Sequence, residues 1–246
     1  MNDGGTSIGR TAATAERVLR QLRHDPRTVA LLLLVPCVLL ALLRGILGGG
    51  VAFQHAGPVL LAVFPFTTLF VVTSVATLRE RTSGTLERLL ALPLAKGELL
   101  GGYALAFSAV GLVQVLLAAA LALGPLGLTT SLGAGALFGL AIADALLGMA
   151  LGLLVSAFAA SEFQAVQFLP AVVLPQVLLC GLFAPRATMA TGLRWLSDAL
   201  PLSYAVDALA RPHGWDTTAT VDLIVVVAAA AAALALAAAT LRRRTS

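Results

Sequence analysis

The sequence predicts an all-α integral membrane protein with six transmembrane helices, from its composition, its apolar runs and its basic residues. Of the 246 residues, 59% are hydrophobic and only 11% are charged. A soluble domain carries about 25% charged residues because its surface must face water. The composition therefore argues against a soluble enzyme, a DNA-binding protein and a disordered chain.

Six apolar runs are long enough to cross a bilayer, since about 20 helical residues span the ~30 Å hydrocarbon core. The predicted spans are 28–47, 59–78, 99–123, 132–156, 165–183 and 220–241. Together they form one transmembrane domain over 28–241, flanked by tails at 1–27 and 242–246. No cleavage site follows the first run, so we expect it to remain as an anchor. The connections leave no room for a separate catalytic domain of about 100 residues.

The basic residues predict the orientation. With the N-terminus inside, the cytoplasmic residues are Arg10, Arg17, Arg20, Arg23, Arg27, Arg79, Arg81, Arg88, Lys96, Arg242, Arg243 and Arg244. The external residues are Arg44, Arg186, Arg194 and Arg211. Because cytoplasmic loops carry an excess of Lys and Arg, this 12-to-4 division among the 16 places both termini in the cytoplasm.

An amphipathic helix is predicted before the first span. Its apolar face consists of Ala15, Val18, Leu19 and Leu22, and the opposite side carries Glu16, Arg17, Arg20 and Arg23. Asp25-Pro26 ends it, because proline disfavours helix at the preceding residue. We expect this helix in the headgroup layer with its arginines facing anionic lipid. A charged tail that only fixes topology is the alternative.

A short cytoplasmic helix is predicted after the second span. Ser83 or Thr85 can cap it, Gly84 permits a tight turn before it, and Pro93 stops it. Its apolar face consists of Leu86, Leu89 and Leu90, whereas Glu87 and Arg88 point elsewhere. A helix this short requires something to pack on, and a groove on a soluble partner is a natural receptor. An ordinary interfacial loop is the alternative.

The external stretch 184–219 predicts two short amphipathic helices. Apolar residues recur at helical spacing on both sides of Pro201: Met189, Leu193, Leu196 and Leu200, then Leu202, Ala205, Val206 and Leu209. Trp195 and Tyr204 suit the depth of the membrane interface. These helices either enter the outer leaflet between spans or lie on it.

Asp144 lies near the middle of the fourth predicted span, where a charge costs about 2.5–3.5 kcal/mol. Gly148 and Gly152 share its face, so we expect Asp144 to face protein or a polar cavity. Gly135 and Gly139 predict a second packed face, with the helix between two neighbours. Asp144 either lines a substrate path or is protonated or hydrogen-bonded to another span, through Gln114, Gln167 or Gln176.

The sequence contains none of the common catalytic or metal motifs. Lys96, its only lysine, does not follow a glycine-rich phosphate loop, so the chain has no Walker A motif. His24, His55 and His213 are far apart in sequence, which disfavours a metal site. Cys37 and Cys180 lie in apolar runs and are interpreted as packing residues.

Three segments resemble the permeases of ABC-2 type transporters. Residues 79–105 read RERTSGTLERLLALPLAKGELLGGYAL, which resembles the cytoplasmic signature of those proteins. Residues 17–36, RVLRQLRHDPRTVALLLLVP, look like the amphipathic elbow of the family. Residues 181–209, GLFAPRATMATGLRWLSDALPLSYAVDAL, are similar to the segment between its fifth and sixth spans. Among subfamilies, the chain looks nearest to daunorubicin-resistance-type efflux permeases.

The resemblance implies a permease in the bacterial plasma membrane that pairs with a second permease and two cytoplasmic ATPase subunits. It implies no cofactor in this chain, since ATP and Mg²⁺ would bind the ATPase, and no nucleic acid partner. By analogy, 85–91 is the coupling helix, and the turn at Ser161 and Glu162 is a second contact. The residues assigned to coupling are Arg79, Glu80, Arg81, Gly84, Thr85, Leu86, Glu87, Arg88, Leu89, Leu90, Ser161 and Glu162.

Two further sets of residues complete these expectations. Asp144 and Gln114 are candidates for the translocation path of a hydrophobic substrate. The external helices are marked by Pro185, Trp195, Pro201, Tyr204 and Asp207. A proton-coupled secondary transporter that uses Asp144 is the first alternative function, although the sequence has no evident inverted repeat. A membrane enzyme or assembly factor is the other, and it lacks clustered catalytic groups.

Overall fold

The computed structural model describes residues 7–82 and 96–243, which are helical with short connections and contain no strand. The helices are α1 (Ser7–Arg23), α2 (Pro26–Leu47), α3 (Val51–Thr82), α4 (Lys96–Leu123), α5 (Ala134–Ser156), α6 (Glu162–Phe168), α7 (Leu174–Leu179), α8 (Thr191–Ala199), α9 (Pro201–Leu209) and α10 (Thr217–Arg243). A π-helical turn, Leu169–Val173, joins α6 to α7 into one rod, and a 3₁₀ turn, Arg186–Thr188, precedes α8.

Among the described residues, six helical rods are long and apolar enough to cross a membrane, if the composite of α6 and α7 is counted as one rod. This confirms the predicted fold class. The six rods are α2, α3, α4, α5, the composite of α6 and α7, and α10. The fifth rod contains Pro170 and Pro175, which lack the N–H that an α-helix needs, and its π turn begins beside the first of them. The helix α3 has 32 residues and extends beyond the apolar run at both ends.

The centre of the bundle is the pair formed by α3 and α5, whose apolar stretches are more than half buried. A Cβ atom on Gly148 would lie 2.2 Å from the carbonyl oxygen of Phe66, and one on Gly152 would lie 2.5 Å from that of Phe70. Only glycine permits backbones to approach this closely. The predicted glycine face of α5 is therefore a contact with α3.

The second glycine pair of α5 does not pack within the described chain. A Cβ atom on Gly135 or Gly139 would meet no other atom within 4 Å. The helix α5 does lie between neighbours, as predicted, because it contacts α3 and α10, but the pair of Gly135 and Gly139 does not form either contact. The physical reason is that small residues permit a close approach but do not require one.

The amphipathic helix α1 packs along α4. Ala15 and Val18 of its predicted apolar face are buried, and Thr14 contacts Gly102, where a Cβ atom would lie 2.5 Å from the threonine side chain. The expectation that the arginines of α1 face lipid is wrong for Arg17, because this side chain forms an ion pair with Glu80 of α3. The Glu80 carboxylate is only 14% exposed, so this ion pair is partly shielded from water.

Two helices follow the fifth rod, as predicted, and they differ in burial. The helix α9 buries Leu202, Ala205, Val206 and Leu209, and it contacts α3, α5 and α10. It therefore inserts between spans. In contrast, α8 leaves Leu193, Trp195 and Leu196 exposed.

Candidate functional site

At one side of the bundle α3 and α5 end and α4 and α6 begin; we call this side the arginine-rich end. The last residues of α3 lie at the centre of a cluster of charges there. Arg79, Glu80 and Arg81 are consecutive, so their side chains leave the helix in three directions about 100° apart. Each contacts a different neighbour. This geometry joins one helix end to three others.

Arg79 joins α3 to α6. Its Nε and Nη2 atoms donate to the two carboxylate oxygens of Glu162 at 2.8 and 2.9 Å. A two-point pair of this kind fixes the relative orientation of both side chains. Both side chains are more than half exposed, so the pair orients the two helix ends but adds little to the free energy of unfolding. Two residues assigned to coupling, 83 positions apart, are thus in direct contact.

Glu80 joins α3 to α1. It accepts hydrogen bonds from Nη1 and Nη2 of Arg17 at 2.9 and 3.2 Å. The Nη2 atom of Arg17 also donates to the hydroxyl of Tyr103 at 3.2 Å, and the guanidinium lies 5.8 Å from the centre of that ring. Because Glu80 is only 14% exposed, this pair is less screened by water than the pair of Arg79.

Arg81 and Ser161 complete the described part of the cluster. Arg81 donates to the carbonyl oxygen of Ser156 at the end of α5. Ser161 caps α6, since its hydroxyl accepts a hydrogen bond from the Gln164 amide at 3.2 Å. Ser161 and Gln164 form only half of a capping box, because the Gln164 side chain accepts a hydrogen bond from Ala160 N–H at 2.7 Å and not from Ser161 N–H.

The predicted coupling helix lies outside the described residues. This applies to Gly84, Thr85, Leu86, Glu87, Arg88, Leu89 and Leu90, all within 83–95. Their role in coupling stays a prediction. The described residues on both sides, Thr82 and Lys96, end α3 and begin α4, so the segment connects two spans.

Asp144 and Gln114 are both completely buried in the interior of the helix bundle. Neither side chain has a hydrogen-bond partner among residues 7–82 and 96–243. The predicted bond from Asp144 to Gln114, Gln167 or Gln176 is therefore not formed. Gln176 instead bonds the carbonyl of Val172 and the Leu202 amide, because its position on α7 faces α9.

Arg186 organises the opposite end of the bundle. It forms ion pairs with Asp198 and Asp207, and its Nε donates to the hydroxyl of Ser197 at 2.8 Å. Its guanidinium lies 5.6 Å from the centre of the Tyr204 ring. Burial raises the pKa of Asp207, and the nearby Arg186 opposes this shift.

Two of the predicted external residues, Asp207 and Tyr204, thus both contact Arg186. From the sequence, Arg186 was predicted only to be an external basic residue. Pro185 immediately precedes the 3₁₀ turn, Pro201 begins α9, and Trp195 is 73% exposed on α8. Pairing the external arginines with the external aspartates would have found this network. A second example is Arg211, which forms ion pairs with Asp216 and Asp222.

Metal and disulfide chemistry have no candidate residues in the described part of the chain. No group of three His, Cys, Asp or Glu side chains there could hold a metal ion. Cys37 is partly buried and Cys180 is buried, and neither forms a disulfide. The described part of the site is a set of ion pairs and hydrogen bonds between helix ends.

Comparison with known proteins identifies the family of this chain. The family model described as ABC-2 type transporter matches residues 10–211 of the 246. The chain belongs to the ABC-2 type transporter family. The match covers α1 through α9 and so includes the arginine-rich end, Asp144 and the network of Arg186.

A curated relative supports the same assignment. ABC transporter G family member 20 of Dictyostelium discoideum is 25% identical over 152 residues. The aligned region is 62% of this chain and 21% of that protein, so the chain spans about a fifth of the relative's length. The chain is a multi-pass membrane protein of this family, with six helices among the described residues that are long and apolar enough to cross a membrane.

Proposed function

We propose that this ABC-2 protein is the permease subunit of an exporter that moves a hydrophobic or amphiphilic compound outward across a bacterial plasma membrane. The observation that supports it most is the family match over residues 10–211. ATP and Mg²⁺ would bind a separate ATPase subunit, since this sequence has no Walker A motif. A second permease subunit, identical or not, would complete the transporter, with both termini of this chain in the cytoplasm.

Residues 85–91 would receive the motion of the ATPase. The preceding helix end is tied to α6 by Arg79 and Glu162 and to α1 by Glu80 and Arg17. Farther along, α3 is in backbone contact with α5 through Gly148 and Gly152. A displacement of the coupling segment would therefore move α3 together with α1, α5 and α6. This is how closure of an ATPase dimer would reach the spans.

Asp144 and Gln114 remain candidates for the substrate path, with a condition. Both are fully buried within one chain, so a path that includes them requires α3, α4 and α5 to separate. Burial of two polar side chains without partners costs free energy, and their exposure to a polar cavity would recover it. Alternation between two conformations would supply that exposure.

Replacing Leu86 and Leu89 with glutamate tests the assignment. The double variant L86E/L89E should lose copurification with the ATPase and lose ATP-dependent transport, because charges replace the predicted apolar docking face. The matched control is Arg23→Glu, which also changes the net charge by −2 on the same predicted side. Arg23 is exposed at the end of α1, and this control should retain the complex.

Two outcomes would contradict the proposal. Survival of the complex and of transport in L86E/L89E would show that coupling occurs elsewhere. Transport that ignores ATP depletion but collapses with the proton gradient would favour the proton-coupled alternative. The readouts are affinity purification from membranes that contain the complete transporter and uptake into inverted vesicles.

A further inference from the structure

A cavity of about 370 Å³ lies between α1, the beginning of α2, α3 and α4 at the arginine-rich end. This volume is in the lower part of the range of about 300–1,000 Å³ that small-molecule sites occupy. The wall is apolar and consists of Val18, Leu22, Val71, Val75, Ala76 and Phe107, among others. An apolar chain of a bound molecule would fit against this wall.

The rim of the cavity carries an anion that has no ionic partner among the described residues. Asp25 accepts hydrogen bonds from Thr28, at 3.2 Å from the amide and 2.6 Å from the hydroxyl, and forms no ion pair there. These hydrogen bonds, aided by the charge of Arg79, lower the pKa of Asp25. The side chain is therefore a carboxylate at neutral pH.

The same rim carries a partly used cation. Arg79 donates to Glu162 through Nε and Nη2, which leaves Nη1 without a hydrogen-bond partner in the described part of the chain. Glu80 also lines the cavity, but Arg17 already pairs with it. The rim thus offers one acceptor of a cationic group and one donor to an anionic group, side by side.

We propose that this cavity binds one zwitterionic membrane phospholipid with a primary ammonium headgroup, of the phosphatidylethanolamine type. The ammonium would contact Asp25, the phosphate would contact Nη1 of Arg79, and an acyl chain would lie along the apolar wall. A purely anionic headgroup would meet the charge of Asp25, and a purely cationic one would meet Arg79. The site requires only that the spans lie in a bilayer, and so goes beyond the transport function.

The position of the cavity favours a lipid over a soluble ligand. It lies where the amphipathic helix α1 meets Pro26, the first residue of the first span, which is the depth of lipid headgroups. Its wall extends along α3 toward the membrane interior, from Ala76 back to Val71. A headgroup alone would leave this wall without an apolar partner.

Native mass spectrometry of the full chain tests the proposal. The protein is delipidated in detergent and given equal amounts of phosphatidylethanolamine, phosphatidylcholine and phosphatidylglycerol with the same acyl chains. We expect one bound phosphatidylethanolamine, at roughly ten times the occupancy of phosphatidylglycerol, the discrimination that one charge-assisted hydrogen bond supplies. Soluble glycerophosphoethanolamine should not compete, because it lacks the acyl chains.

Two variants with matched controls locate the site. Ala76→Phe fills the cavity and should abolish binding of this lipid, whereas Ala235→Phe adds the same ring at an exposed position of α10 and should not. Asp25→Asn keeps an acceptor for Thr28 but removes the charge, so the preference for phosphatidylethanolamine over phosphatidylglycerol should fall to about one. Asp216→Asn, at a carboxylate that caps α10, should leave the preference unchanged.

Several results would overturn the assignment. Equal binding of phosphatidylglycerol and phosphatidylethanolamine by the unmodified chain would exclude recognition of the ammonium group. Competition by glycerophosphoethanolamine would point to a headgroup ligand without acyl chains. Unchanged binding in Ala76→Phe would place the lipid elsewhere. Should Ala76→Phe fail to fold, retention of the preference in Asp25→Asn would by itself reject the site.

Discussion

At the scale of single residues, Gly148 shows why composition alone does not determine packing. Gly148 and Gly135 lie on the same helix, and both belong to glycine pairs spaced four residues apart. Only Gly148 lies against another backbone, that of Phe66 on α3. The cost of a side chain at these two positions should therefore differ, although their sequence context is alike.

Gly148→Ala should destabilise the protein, and Gly135→Ala should not. A Cβ atom at Gly148 would lie 2.2 Å from a carbonyl oxygen, so α3 and α5 must separate. Overpacking of this kind costs about 1–3 kcal/mol. At Gly135 the space is open, and alanine favours helix over glycine by roughly 1 kcal/mol. Thermal unfolding of the two variants in detergent measures the difference, and equal melting temperatures would contradict the packing of α3 on α5.

Asp144 illustrates the opposite case, in which the sequence predicted the environment of a residue but not its partners. Its position at mid-span, on the face of Gly148, predicted burial against protein, and the side chain is fully buried. Whether Asp144 can reach a glutamine on another span depends on how the two helices are rotated relative to each other. The hydrophobic period of one helix does not specify this rotation. In the described chain, neither Asp144 nor Gln114 has a partner.

At the scale of elements, α1 was predicted as a helix with the correct apolar face, but the sequence did not predict that this face packs on α4 or that Arg17 pairs with Glu80. The 3.6-residue period identified Ala15 and Val18 as the buried side, and both are buried. Whether that side meets lipid or protein depends on Gly101 and Gly102, which allow α4 to approach. What an amphipathic helix packs on depends on its own apolar face and on the surface of its neighbour. The hydrophobic period of the helix describes only the first of these.

Gly102→Val should detach α1 from α4. A Cβ atom at Gly102 would lie 2.5 Å from Thr14 and 3.1 Å from the carbonyl oxygen of Thr11, whereas none lies within 4 Å at Gly97. In a chain with Cys37→Ser and Ala15→Cys, a water-soluble maleimide should label position 15 rapidly after Gly102→Val. Labelling should remain slow after Gly97→Val, because Ala15 is only 4% exposed when α1 is docked. Equal labelling in both variants would reject the docking.

At the scale of the whole molecule, a central pair of helices is surrounded by more exposed ones. Whereas α3 and α5 are more than half buried, the apolar stretches of α2, of the composite of α6 and α7, and of α10 are each 17% buried. In water such apolar surfaces would be unstable, so lipid or another subunit must cover them. In the proposed transporter, the second permease subunit would cover part of this surface.

The orientation of the whole molecule is a further prediction. An alkaline phosphatase fusion after residue 243 should be inactive and a green fluorescent protein fusion there should fluoresce, because 12 of the 16 basic residues place that end in the cytoplasm. Insertion of the phosphatase near His213 should give an active enzyme. Activity of the fusion after 243 would reverse the proposed topology and, with it, the direction assigned to transport.

The sequence by itself determined the membrane class, the number of spans and the amphipathic faces of α1 and α9. Each of these follows from the composition and from the hydrophobic period along the sequence. Neither depends on how the helices pack against one another. Only the tertiary structure decided that Arg79 meets Glu162, that Arg17 meets Glu80, and that Arg186 joins Asp198 and Asp207. Those contacts depend on the mutual rotation of the helices. Close approach at Gly102, Gly148 and Gly152 fixes α1 against α4 and α5 against α3, and the sequence of one helix does not specify the position of its neighbour.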